Sequence, residues 1–136
     1  MQKNTTNTKP DIRGLDDIKL LVDTFYGLVQ KDSLLSPIFN ATIKDKWDVH
    51  LNKMYKFWDS ILFSTGSYDG RPFPPHAKLA IDKEHFDKWL LLFEETLATL
   101  FQGEITEQAK FRANKMAELF QIKLSNMKND KFKPLI

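Results

Sequence analysis

Two histidines stand in contrasting surroundings in this chain of 136 residues. His50 lies between Trp47 and Leu51, with Met54, Phe57 and Trp58 to follow, and helical spacing aims it at an apolar interior. His76 closes the run Arg71, Pro72, Phe73, Pro74 and Pro75, a rigid connector ahead of an aromatic-rich segment. An imidazole facing a core needs a partner, because an unpaired buried polar group is costly. Two of them in an otherwise apolar protein raise the question of a cofactor between them.

The plainest alternative is packing: a lone histidine on an apolar helix face is more often a satisfied core residue than a ligand, and aromatic stripes are usually core. Among metal sites, a di-iron bundle requires Glu-x-x-His pairs, and none occurs here. A zinc site built from His50, His76 and His85 lacks the short spacing that sets two ligands on one helix face. Haem fits better. It needs one strong axial ligand and a flat apolar slot, for which Phe39, Met54, Phe57 and Trp58 offer walls. Tyr26 and Trp89 bring polar tips that a bound gas molecule can use. Spacing alone does not say which histidine binds iron.

These side chains must be positioned by helices. Ile18, Leu21, Val22, Phe25, Tyr26 and Val29 follow the three-and-four repeat of an amphipathic helix from about Asp16, ended by Asp32 and Ser33. Pro37 keeps the next stretch short, leaving Phe39 on a compact corner. A second helix is expected from about Lys44 to Phe63, with Trp47, His50, Leu51, Met54, Phe57 or Trp58, Ile61 and Leu62 inward and Gly66 as its cap. Gly70, Pro72, Pro74 and Pro75 exclude a long helix before Ile81, although Pro75 suits the first position of a short turn that places His76. Asp82 is a good N-cap for a third helix carrying Phe86, Trp89, Leu90, Phe93, Leu97, Leu100 and Phe101 inward, and Gly103 ends it. Thr106 is the expected cap of a fourth, with Ala109, Ala113, Met116, Ala117, Phe120 and Leu124 inward. His85, just before inward Phe86, is expected to be exposed. No strand-like alternation occurs, so the fold class is all-α: a disordered tail over 1–14, one domain over 15–127 and a C-terminal tail over 128–136.

Composition narrows the function classes. A net charge of +2 is too small for phosphate recognition, so nucleic acid is not an expected partner. The lysines at 123, 128, 131 and 133 read as a solvated tail. With no cysteine there is no disulfide, no thiolate ligand and no covalent haem attachment. The polar start lacks an apolar stretch and no run approaches a membrane span, which makes a cytoplasmic protein the expectation.

Taken together, Phe25-Tyr26, Pro37-Ile38-Phe39, Trp47 with His50, Phe57-Trp58, Tyr68 with Gly70 and Pro72, His76, and Phe86 with Trp89, Leu90, Leu92 and Phe93 resemble the truncated haemoglobins of the third group. The match spans roughly residues 18–120. Each fragment is weak, but their order and spacing are specific, and the Gly-Gly pairs of the first group are absent. The resemblance implies a shortened globin fold: two antiparallel helix pairs packed across each other, with the proximal helix reduced to a brief segment. It implies non-covalent haem b, with His76 as the proximal iron ligand. Tyr26, His50 and Trp89 then fall on the distal, ligand-stabilising side, and Phe39 on the aromatic wall. Phe25, Met54, Phe57 and Trp58 become further haem contacts, with Tyr68 and Arg71 as candidates for its propionates. His50 is left as a gate, a third donor or a sixth iron ligand.

Three function classes follow. The first is a monomeric globin that binds O2, NO or CO reversibly, for capture, sensing or detoxification rather than delivery. The second is a haem redox enzyme, a nitric oxide dioxygenase or peroxidase-like catalyst served by an external reductase. The third is a haem-free interaction module, against which the retention of His76, Tyr26 and Trp89 argues.

Overall fold

The computed structural model describes residues 8–64 and 81–132, with residues 126–132 as backbone alone. Within them run five helices and no strand: α1 (Leu15–Lys31), α2 (Ser36–Ile43), α3 (Trp47–Phe63), α4 (Lys83–Leu100) and α5 (Glu104–Phe132). α1 packs against α3 and α4, α4 against α5, and α2 against α1. The α1–α3 and α4–α5 pairs, joined through α1 against α4, are the helix pairing that the resemblance implies. Gly66, Tyr68, Arg71 and His76 lie outside the described residues. No helix among the described residues is long and apolar enough to cross a membrane.

The inner stripe of α1 is buried as its periodicity requires, with Ile18, Leu21 and Val29 completely enclosed. Asp32 ends α1 and also starts α2. Its carboxylate accepts the backbone N–H groups of Leu34 and Leu35 at 3.1 and 3.0 Å, and Lys88 of α4 reaches it at 3.4 Å. What reads in the sequence as a compact corner is thus a full short helix, with Pro37 in its first turn. α3 begins at Trp47 rather than Lys44, because Lys44 takes a left-handed φ of 58° that closes α2. Ser64, at φ 55° and ψ 38°, ends α3 two residues before the expected glycine.

The start of α5 departs furthest from expectation. Thr106 is not its cap. Asp11, far away in sequence, accepts the N–H groups of Ile105 and Thr106 and the Thr106 hydroxyl at 2.7–2.8 Å. Ile12 beside it is only 2% exposed and belongs to the main core. The packed region therefore begins several residues before residue 15, and α5 runs past 127 to Phe132. Gly103 allows the approach: its φ is +145°, and a Cβ there would meet Asp11 Cγ at 2.5 Å.

Candidate functional site

The five described helices all contribute residues to one cavity. Tyr26 of α1, Phe39 of α2, Met54, Phe57 and Trp58 of α3 and Trp89 of α4 line it. Ile81, His85, Phe86, Met116, Ala117 and Phe120 complete the walls.

Stacked and edge-on aromatic rings hold these walls rigid. Phe93, 1% exposed, stacks against Trp89 at 5.6 Å with the planes 2° apart, and against Trp58 at 5.1 Å with 18° between them. Phe25 does not line the cavity. It stands behind the lining, edge-on to Tyr26, Trp89 and Phe93 at 4.8–5.4 Å, so it sets the position of cavity residues rather than forming the surface. Such contacts add about 0.5–1.5 kcal/mol each to the area they bury.

The polar side chains on this surface are few and ordered. Tyr26 is 5% exposed, and burial pushes its phenol well above the usual value while a hydrogen bond with Trp89 pulls it down. The indole N–H can only donate and the phenol can donate or accept, so Trp89 and Tyr26 bring two potential donors to this wall.

His50 stands beside this pair and off the cavity lining. Its ring is edge-on to Tyr26 at 4.9 Å and to Trp47 at 5.7 Å, and its Nε2 is shut off from solvent. Trp47 in turn donates its indole N–H to Asn40 of α2 at 3.2 Å. His85 is half-buried and on the cavity wall, not exposed. It occupies the third position of α4 in a reciprocal capping box with Asp82, and its Nδ1 accepts the Asp82 N–H at 2.9 Å. That sequence signature was available: an Asp cap, a polar residue three later, and a spacing of four to Trp89. Among the described residues the one group of three potential metal ligands within reach of each other is Asp82, Glu84 and His85. His50 is not in it, and His76 of the zinc alternative lies outside the described residues.

An apolar cavity with aromatic walls and a few polar tips suits a flat, apolar macrocycle that presents a small ligand at one face. The model of the bacterial-like globin family matches residues 11–123. The chain belongs to that family. The group 3 truncated hemoglobin of Campylobacter jejuni is 36% identical over 110 residues, covering 78% of this chain and 87% of that protein. The crystal structure of the group III truncated hemoglobin from the same organism superposes with a TM-score of 0.79 at 35% identity, over 86% of this chain and 95% of the other. Haem and diatomic ligands come with the globin family, and the cavity here has the lining such a group requires. The globin's described residues supply the walls of that cavity.

Proposed function

We propose that this globin holds haem b non-covalently through His76 and binds O2 and other diatomic gases reversibly, for capture, sensing or detoxification rather than delivery. The observation that carries the reading is a cavity with aromatic walls on which Tyr26 and Trp89 present the polar tips. When bound, haem would supply an iron able to hold a diatomic gas. Tyr26 would offer its O–H to a ligand in the slot, with the Trp89 N–H beside it as a second donor. A hydrogen bond to a charged acceptor is worth about 1.5–3 kcal/mol, or roughly ten- to a hundred-fold in release. Slow release suits retention or chemistry. His50 stands edge-on to Tyr26 and would serve as a gate or a third donor beside it.

His76 would supply the imidazole that holds the iron in this reading. The protein works as a cytoplasmic monomer, and a separate reductase keeps the iron ferrous. Optical spectra of the purified protein, oxidised, reduced and with carbon monoxide, test the cofactor directly, and a missing Soret band after reconstitution with haem overturns the proposal. His76→Ala should lose most of its haem while His50→Ala keeps it. Equal retention by the two variants removes His76 as the ligand.

A further inference from the structure

The cavity has a third polar side chain that the reading above does not use. His85 lies one helical turn before Trp89 on α4, on the same face. Its neighbours mark where it stands: Ile81 and Phe86 are 8% and 6% exposed, whereas Asp82, Lys83 and Glu84 are all exposed. His85 therefore sits on the solvent boundary of an apolar slot. Its chemistry is constrained as well. A backbone N–H can only donate, so the Asp82 N–H at 2.9 Å makes Nδ1 an acceptor. The neutral ring must then carry its proton on Nε2. The capping box holds the ring in place, and Glu or Gln is the usual residue at this position. A histidine caps equally and brings an N–H on its far edge, which Glu lacks. Nearby Lys83 is drawn to Asp87 at 2.7 Å and does not serve the slot.

We propose that His85 is a fixed N–H donor at the mouth of the cavity that receives a carboxylate on the edge of the bound haem. The inference rests on the haem reading and extends it. Haem is an apolar ring with two carboxylates on one edge, so that edge belongs at the solvent boundary, where a preset donor is most useful. His85→Glu is the informative change because it keeps the capping box and replaces the donor with a carboxylate. The measurements are the rates of haem loss to an excess of a haem-scavenging protein, for native haem and for its dimethyl ester, with the thermal midpoint of the haem-free protein alongside. Native haem should leave His85→Glu about ten-fold faster or more. Loss of the ester should be the same in variant and wild type, and the haem-free midpoint should not fall. His85→Gln, which caps through its carbonyl and keeps an amide donor, should stay close to wild type. If His85→Glu fails to fold, His85→Met removes the donor at similar bulk and is read by the same two rates. Unchanged loss of native haem makes His85 a helix cap alone and overturns the proposal, as does equal acceleration for haem and ester. A wild-type protein that binds no haem overturns the haem reading instead.

Discussion

Tyr26 and Trp89 both line the cavity, edge-on to the same Phe25 ring, and this decides how their loss should be felt. Tyr26→Phe removes the O–H that meets the ligand and leaves the Trp89 N–H, which recovers part of the loss. Trp89→Phe leaves the phenol in place without its neighbouring donor. Oxygen dissociation should therefore accelerate about ten-fold in Tyr26→Phe, by less in Trp89→Phe, and most in the double variant. Carbon monoxide carries far less charge, so its release should barely change. Stopped-flow dissociation of both gases from the three variants checks this, and unchanged O2 release from the double variant excludes the pair as distal donors. Phe39 and Trp58 are subject to a different test. Both are buried on the cavity wall, and truncation to Ala should cost about 3–5 kcal/mol in chemical denaturation. Each should also weaken haem binding and shift the Soret band. A less stable protein with an unchanged spectrum and haem affinity would return these residues to ordinary core.

Helix termini carry the next scale of argument, and Asp11 is the clearest case. Burial works to raise its pKa, but hydrogen bonds from the Thr106 hydroxyl and the N–H groups of Ile105, Thr106 and Ile12 prevail and lower it. A carboxyl whose pKa falls on folding stabilises the protein fully above its ordinary range, near pH 4, and loses that contribution as pH drops through the lowered value. Asp11→Ala should cost about 1 kcal/mol at neutral pH, the usual value of a helix cap. Asp11→Asn should flatten the acid limb of the stability curve, followed by urea denaturation between pH 2 and pH 6 (order-of-magnitude limits set by the carboxylate range). If the acid limbs of variant and wild type coincide, Asp11 does not tie the N-terminal segment to α5. Gly103→Ala should destabilise through the same junction, since its backbone is left-handed and its Cβ position is already filled by Asp11.

For the molecule as a whole, the cavity divides the core. A large aromatic cluster holds α1, α3 and α4 together, while Ile81, Phe86, Ala117, Phe120 and Leu124 form a smaller one between α4 and α5. A group bound in the slot touches both, so haem should act as a ligand of the native state and raise the thermal midpoint as its free concentration exceeds its Kd. Scanning calorimetry of the haem-free and reconstituted protein checks this, and His76→Ala should erase most of the difference. A midpoint indifferent to haem would mean that the slot is filled without it. Sedimentation equilibrium of the haem-loaded protein checks the proposed monomer.

Helical periodicity by itself determined the all-α class, the inner faces of α1, α3 and α4, and the order of motifs that resembles a third-group truncated haemoglobin. Those features are local: three-and-four spacing, an Asp cap at Asp82 and prolines that forbid long helices all act within a few residues. What lay beyond reach depends on approach between distant segments. Asp11 caps a helix that begins more than ninety residues later, and no local pattern marks a cap lent by another part of the chain. Phe25, expected on the slot, stands behind it, and His85, expected to be exposed, is on the cavity wall, for a similar reason. A helix stripe tells which residues face inward, but only the packing of the helices decides whether an inward residue meets the slot or the core behind it. The pairing of Trp89 with Tyr26 is of the same kind. Residue types supplied an indole donor and a phenol, and the packing of α4 against α1 set both on the wall of one cavity.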